Sequence, residues 1–294
     1  MLLFCIPYSY SQNQIKLTSK RNKDNSVDIH FSKDMPGTYC IYLNFSNYEN
    51  TLTPKRKFIV EDYNGFLYSL KPIDRTKFIN YTYSYNYKRG IPNPKTDTAF
   101  VYLLPFRNNS PVEVRFLNNL GAKYFDKEEP KNWKAFQFIC HKADTICSVR
   151  KGIVIRVVDN FSIDTTKVFS YSSSRNLIMI EHPDGTFARY EGFDNKNIFV
   201  KQGDIVLPNQ ALGTLIQYDK SGVYQLRFAI DYLTENRSDD KEKQRSSYDY
   251  LDPYFQTTEG VQKLALRKTY ITKTSDDLII KELSRKDQKK RQKN

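Results

Sequence analysis

No segment of this sequence approaches the roughly 20 consecutive apolar residues that a membrane-spanning helix needs. The 11 glycines and 12 prolines are scattered, without a repeating period or a low-complexity block. The sequence also has no glycine-rich phosphate-binding loop. The segment 118–123 (NNLGAK) contains a single glycine, which is too few for such a loop. The sequence therefore predicts neither a transmembrane span, nor a repeat array, nor a nucleotide-binding loop of that kind.

Apolar and aromatic side chains, by contrast, are present in amounts typical of a folded protein. Hydrophobic residues make up 39% of the 294 positions, and 22 tyrosines and 19 phenylalanines bury area in large units. A chain of this length can form two ordinary domains, each with its own core. We therefore expect a globular protein of two domains.

The formal charge of +13 favours anionic partners through long-range attraction. The basic residues are spread along the chain, except in the concentrated run 284–294 (SRKDQKKRQKN). We expect this run to be a disordered, solvated tail, and polyanion binding by the tail is the alternative. Because the other basic residues form no stripe, we expect no nucleic-acid partner. An acidic cell wall or lipid headgroup layer would attract the protein equally well.

Residues 1–11 (MLLFCIPYSYS) are apolar and uncharged, as in the core of a signal peptide. The small-x-small pattern at 9–11 suits signal peptidase, although the usual preceding basic segment is absent. A lipid anchor at Cys5 and a cytosolic N-terminal strand are the alternatives. We expect residues 1–11 to be a signal peptide and the protein to be exported to the periplasm or cell envelope.

The region 14–101 predicts one short strand after another. Segments such as 27–31 (VDIHF) and 37–45 (GTYCIYLNF) alternate apolar and polar residues, and Asn, Asp, Gly and Pro mark the turns between strands. This pattern favours an immunoglobulin-like β-sandwich. His30 falls within one of the strands, where we expect it to be structural.

A second β-rich region is predicted over residues 102–232. Its segments 152–159 (GIVIRVVD) and 223–230 (VYQLRFAI) are typical of strands. A C-terminal extension at 233–283, which begins with a charged stretch, then precedes the basic tail. We therefore expect an all-β fold in both domains.

Cys140 and Cys147 stand on either side of a predicted turn. In an exported protein this placement allows a hairpin disulfide. Buried free thiols are the second interpretation. A metal site that includes His141 is the third, although two thiols and one imidazole at this spacing match no usual zinc pattern.

Four segments of the second region follow one another in the order of a known family's motifs. They are 136–159 (FQFICHKADTICSVRKGIVIRVVD), 176–193 (NLIMIEHPDGTFARYEGF), 199–215 (FVKQGDIVLPNQALGTL) and 223–230 (VYQLRFAI). The third is close to the hairpin V-x-x-G-D-x-V-x-x-G-Q-x-I-G, and the fourth stands where that family has His-Leu-His-Phe. Residues 102–232 thus resemble the lysostaphin-like (LytM-type) zinc endopeptidases, which cut peptide cross-links in bacterial cell walls. The resemblance implies an antiparallel β domain of the duplicated hybrid motif.

Catalysis in that family depends on a zinc ion with three protein ligands, which polarises the scissile carbonyl and activates a bound water. Here Gln137 stands where the family has its ligand Asp, and Gln225 and Arg227 stand where it has the His-x-His pair. Gly192 replaces a further active-site histidine, and the segment 124–135 contains no histidine to serve as the first ligand. The resemblance therefore implies a degenerate zinc site.

The number of histidines leads to the same interpretation. The family needs four in this domain, and the whole sequence has three, at His30, His141 and His182. Neutral amides bind zinc poorly, and Arg227 would place a fixed positive charge where the cation should lie. We therefore expect a pseudoenzyme with no catalytic residues, no metal and no cofactor.

Inactive members of this family act as regulators of wall-cleaving amidases or as parts of envelope machines. The resemblance therefore implies that a remnant groove near Gln137, Glu191, Gly192, Gln225 and Arg227 binds peptidoglycan or an envelope protein such as a wall amidase. Glu191 and Arg227 are the candidate binding residues, with Arg227 placed for a peptide carboxylate; a structural ion pair between these two is the alternative. Two other functions stay open: an active zinc metallo-endopeptidase with different ligands, and a polyanion-binding scaffold that acts through its basic tail.

Overall fold

The computed structural model describes residues 15–118, 132–162, 175–217, 222–235, 246–285 and 288–289. These residues form 21 β-strands and one short α-helix, which confirms the predicted all-β fold. The chain divides into two compact units, residues 1–88 and 89–294. The predicted signal peptide at 1–11 and most of the predicted tail at 284–294 lie outside the described residues.

Alternating buried and exposed residues build the strands of the first unit. These strands are β1 (Ile15–Arg21), β2 (Val27–Lys33), β3 (Tyr39–Glu49), β4 (Lys57–Val60), β5 (Asn64–Leu70) and β6 (Asn80–Arg89). Strands β1, β2 and β5 form one sheet, and β4, β3 and β6 form another. In β2, Val27, Ile29 and Phe31 are buried, while His30 is exposed and lies edge-on to Phe66. The two sheets share one apolar core, as in a small β-sandwich.

The second unit contains the other strands and the helix. They are β7 (Val101–Leu103), β8 (Pro111–Phe116), β9 (Phe136–Cys140), β10 (Thr145–Cys147), β11 (Gly152–Val158), β12 (Leu177–Glu181), β13 (Phe187–Glu191), β14 (Phe193–Ile198), β15 (Ile205–Val206), β16 (Ala211–Leu215), β17 (Tyr224–Glu235), β18 (Ser246–Tyr250), β19 (Tyr254–Thr257), β20 (Gly260–Gln262), β21 (Thr269–Ile271) and α1 (Asp276–Ile280). No helix within the described ranges is long and apolar enough to cross a membrane.

A nine-stranded sheet is the framework of this unit. Its order is β15-β11-β12-β13-β17-β9-β8-β21, and β18 pairs with β17 outside this path. Two three-stranded sheets, β10-β16-β14 and β20-β19-β7, complete the fold. The core contains a cluster of aromatic rings in which Phe255 lies edge-on to Phe136, with centroids 5.7 Å apart, and Phe136 stacks on Phe138. This cluster joins the central strand β9 to β19 of a smaller sheet.

The segment 233–283, predicted as an extension, supplies strands to the second unit. Strand β18 pairs with β17 and β21 pairs with β8, while Leu251, Phe255 and Leu264 are buried in the main core. The unit also begins ahead of the predicted start at residue 102, because Phe100 is buried in the same core.

A buried cluster of charged residues attaches the C-terminal segment to this unit. The guanidinium of Arg150 donates to Asp184 at 2.6 Å and to Glu282 at 2.7 Å. It also lies 3.9 Å from the ring centroid of Phe100. Helix α1, which begins after Ser275, precedes Glu282 directly, so the ion pair fixes the chain just beyond the helix.

Candidate functional site

Strand register brings the predicted site residues together at the centre of the large sheet. Strands β9 and β17 are antiparallel, and Arg227 pairs across them with Gln137. On the other side of β17, Arg227 pairs across β13 with Glu191. Arg227 therefore lies between Gln137 and Glu191 on three adjacent strands. Residues from three distant segments of the sequence thus occupy one patch of the sheet.

The two glutamines of this patch are in direct contact. The side-chain amide of Gln137 donates from Nε2 to Oε1 of Gln225, at 2.6 Å. Both side chains are half-buried. An amide pair offers hydrogen-bond donors and acceptors but no negative charge. It suits the backbone groups of a peptide better than it suits a divalent cation.

Gly192 has no room for a side chain. Its φ is +125°, and a Cβ added there would lie 2.4 Å from the backbone oxygen of Gln225. The backbone groups of Gly192 are engaged as well, since its N–H donates to Asn176 O and its carbonyl accepts from Ile216 N–H, both at 3.0 Å. Only glycine fits this close approach of two backbones. A histidine here would require β13 and β17 to separate.

A groove of about 750 Å³ opens beside the patch. Charged side chains and aromatic rings line it: Arg189, Glu191, Arg227, Phe116, Trp133 and Tyr250. Trp133 is held by a hydrogen bond from its Nε1 to Leu117 O at 2.7 Å, and its ring meets that of Tyr250 edge-on, with centroids 4.6 Å apart. Cavities of this size and mixed lining are typical of ligand-binding sites.

Arg189 is anchored by a carboxylate from beneath the groove. Its Nε contacts Oδ2 of Asp231, which is fully buried, whereas the Arg189 side chain remains 37% exposed. Burial raises the pKa of the Asp231 carboxyl above its ordinary value, although the charge of Arg189 opposes this effect. The pairing holds the Nε edge of the guanidinium, and more than a third of the side chain remains exposed. Arg189 can therefore contact a ligand without a change of rotamer.

Sequence motifs did not indicate the aromatic part of the groove. Trp133 is the only tryptophan of the sequence, so it stands out in the composition, but it belongs to no motif. Tyr250 lies in the segment predicted as an extension, and Arg189 lies within the motif segment 176–193, which assigns it no role. Their proximity depends on the pairing of β18 and β13 with β17, a feature that the local sequence pattern does not specify.

The three histidines do not converge on the groove. His30 belongs to the first unit, and His141 is exposed in the turn after β9. His182 is buried, with its Nδ1 2.9 Å from Thr186 Oγ1. Burial and the charge of Arg150 lower the pKa of His182 to about 3. Among the described residues, no group of three or more His, Cys, Asp or Glu side chains is arranged to hold a metal ion.

Cys140 and Cys147 are free thiols, so the structure has no disulfide between them. Burial raises the pKa of Cys140 to about 12 and that of Cys147 to about 11. Each therefore stays protonated at neutral pH and is a poor nucleophile. Both pack as small apolar side chains at the edge of the core.

No protein-family model and no curated protein matches this chain.

Proposed function

We propose that this chain is a non-catalytic, lysostaphin-like protein of the bacterial cell envelope, whose groove binds a peptide. The peptide belongs to peptidoglycan or to an envelope protein such as a wall amidase. The observation that carries the proposal is the convergence of Gln137, Gln225, Arg227, Glu191 and Gly192 on adjacent strands beside a groove. These positions were selected by the order of the sequence motifs alone, so their proximity supports the resemblance to the lysostaphin-like family.

The chemistry of the patch favours binding over zinc catalysis. The resemblance places two zinc ligands and two further active-site histidines at these four positions, where the chain has two amides, a glycine and Arg227. A fixed guanidinium next to Gln137 opposes a divalent cation in the same place. The close approach of Gly192 to Gln225 also leaves no space for the missing histidine.

The groove has the groups that a peptide with a free carboxylate requires. Arg189 and Arg227 line it, and a planar guanidinium can hold a carboxylate through two parallel hydrogen bonds. Glu191 is placed to accept from an amine or amide of the same ligand. Phe116 and Trp133 supply apolar walls that exclude water from these contacts.

Calorimetry with a wall stem peptide tests the proposal. We expect binding of the peptide with a free C-terminal carboxylate, and weaker binding of the same peptide as its C-terminal amide. Arg227→Gln should weaken binding of the free acid by about tenfold or more, because a charge-assisted contact is lost. Arg156→Gln removes the same charge from an exposed position on β11 and serves as the matched control.

A pull-down with purified peptidoglycan sacculi extends the test to the intact polymer. The unaltered chain and Arg156→Gln should sediment with sacculi, and Arg227→Gln should do so less. Equal binding of both peptide forms, together with equal affinities of the two arginine variants, would contradict the proposal.

A further inference from the structure

A second pocket adjoins the first groove at the Trp133–Tyr250 ring pair. Its volume is about 580 Å³, and both rings line it as well as the first groove. Tyr232 and Tyr254 supply further rings. Trp133 and Tyr250 thus form a partition common to the two cavities. Apart from these two shared rings, the residues of the second pocket have no part in the peptide contacts described above.

The polar groups of this second pocket carry charges of both signs. Asp97 and Asn132 supply a carboxylate and an amide. Asp252 is paired with Lys134 at 3.2 Å and with Lys263 at 3.1 Å. The two carboxylates and two ammonium groups balance one another, so the pocket does not select a charged ligand. It offers several donors and acceptors to a neutral, hydroxyl-rich one.

The aromatic rings are fixed in place and accessible. Tyr254 is 37% exposed, and Lys263 Nζ lies 5.3 Å from its ring centroid, which orients the ring. The Nε1 of Trp133 is already bonded to Leu117 O, so this side chain presents its apolar surface to the pocket. Flat apolar rings beside planar carboxylate and amide groups suit a pyranose, which has C–H faces and equatorial hydroxyls.

We propose that this second pocket is a saccharide subsite, and that the ligand of the protein is a saccharide that carries a peptide. The sugar lies against Tyr254 and Trp133, hydrogen-bonded by Asp97 and Asn132, and the peptide crosses the partition into the first groove. The second half of this statement rests on the proposed peptide-binding function. The saccharide subsite itself can be tested without it.

The test uses the full chain and chitotetraose, a neutral oligomer of N-acetylglucosamine, as the probe. Calorimetry should detect binding, and Tyr254→Ala should weaken it by about tenfold or more because a stacking surface is lost. Tyr254→Phe keeps the ring and should bind within about threefold of the unaltered chain. Phe199→Ala removes an exposed ring, 54% accessible against 37% for Tyr254, that lines neither pocket, and should have no effect.

A second arm separates this inference from the proposed function. Arg227→Gln should weaken binding of the stem peptide and leave the affinity for chitotetraose unchanged. Tyr254→Ala should weaken binding of chitotetraose and leave the affinity for the stem peptide unchanged. Peptide binding without chitotetraose binding would overturn the saccharide subsite and leave the peptide groove intact. Loss of peptide affinity in Tyr254→Ala would assign the second pocket to the peptide. That result would also overturn the saccharide subsite. Chitotetraose binding without peptide binding would support the subsite and contradict the proposed function.

Discussion

The two units of this protein differ in where their charged side chains lie. In the first unit, Lys33 is the one charged residue buried among those the structure describes, and its ammonium donates to the carbonyl oxygens of Met35 and Gly37. In the second unit, a buried charge is paired: Arg150 contacts the half-buried carboxylates of Asp184 and Glu282. Both units are β-sheet structures with aromatic cores. Two units of the same fold class can therefore differ in where their charged side chains lie, and only the second contains the candidate site.

Buried ion pairs make the second unit more sensitive to single substitutions and to acid. Removing one member of such a pair leaves the other buried and uncompensated, which costs far more than removing an exposed charge. The first unit depends mainly on apolar contacts, whose strength depends little on pH.

Arg150→Met should lower the free energy of unfolding of the second unit by about 3–5 kcal/mol, because Asp184 and Glu282 lose their common partner. Arg156→Met removes an exposed arginine of the same unit and should change stability by less than about 0.5 kcal/mol. Denaturant unfolding followed by the fluorescence of Trp133, the only tryptophan, measures the second unit alone. Similar transitions for the two variants would show that the buried cluster contributes little.

Gly192→Ala and Gly65→Ala compare a close approach in each unit. At Gly192 an added Cβ would lie 2.4 Å from a backbone oxygen, and φ is positive. At Gly65 the nearest atom would be 3.1 Å away, on the ring of Phe31, which can shift. We expect Gly192→Ala to destabilise its unit by about 3 kcal/mol and Gly65→Ala by less than about 1 kcal/mol.

Hydrogen exchange of strand amides measures each of these effects within its own unit. Faster exchange across β13 and β17 in Gly192→Ala, with unchanged exchange in β2, is the expected pattern. Gly65→Ala should leave β13 and β17 unchanged. If both variants lose similar stability, the contact between Gly192 and Gln225 is not as rigid as the geometry indicates.

Acid should destabilise the second unit through His182. Its pKa is about 3 in the folded chain, lowered by burial and then by Arg150, against 6.5 as the ordinary value. Below about pH 6.5 the unfolded state takes up a proton that the folded state does not accept until about pH 3, so the free energy of unfolding falls in this window. One such group sets a limiting slope of about 1.4 kcal/mol per pH unit.

Asp184 adds to this trend at the acid end of the window. Arg150 and hydrogen bonds from Thr186 hold the pKa of Asp184 below its ordinary value, against the opposing effect of burial. Its contribution is present above pH 3.8 and is lost as the pH falls through the lower folded value. Trp133 fluorescence in denaturant from about pH 7 to pH 4 measures the slope, which His182→Phe should reduce. An unchanged slope in that variant would assign the acid sensitivity to other groups.

The fold class was predictable because it depends on local patterns. Buried and exposed residues alternate in 27–33 as the sequence indicates, and the all-β expectation was confirmed. The extent of the second unit was harder to predict, since the charged stretch after residue 232 has the composition of a linker. Leu251 and Phe255 nevertheless return to the main core. Such returns depend on long-range packing, which a local pattern does not encode.

The candidate site was predictable only in part, for a related reason. Motif order selected Gln137 and Gln225, and the structure brings their amides into contact. The same reasoning found no role for Trp133 or Tyr250, because their position depends on which strands pair and in what register. The choice between free and bonded thiols at 140 and 147 likewise depends on the direction of each side chain, which sequence spacing does not determine.

Placing zinc-binding side chains at the positions that the resemblance indicates in the second unit should have the smallest effect. The variant Gln137→Asp, Gln225→His, Arg227→His replaces the amide pair and removes the guanidinium between Gln137 and Glu191. Gln137 and Gln225 already touch, and Arg227 is the cross-strand neighbour of Gln137, so the three new side chains can reach one ion. We expect zinc to bind, but weakly, because each absent supporting group costs about 10–100-fold in metal affinity.

A double variant that keeps Arg227 is the matched control, and calorimetry with zinc chloride gives the affinities. Gln137→Asp with Gln225→His supplies one ligand that the resemblance implies and one further histidine, but leaves a fixed positive charge beside them, so it should bind no zinc, as should the parent chain. Peptide hydrolysis should stay absent in all three proteins, because Gly192 admits no histidine in place of the missing active-site group. A folded triple variant that binds no zinc would mean that these side chains do not surround a common point, and the lysostaphin-like interpretation of β9 and β17 would lose its main support. Zinc binding by the double variant would instead show that Arg227 turns away from the patch, which would remove it as the carboxylate-binding residue of the groove.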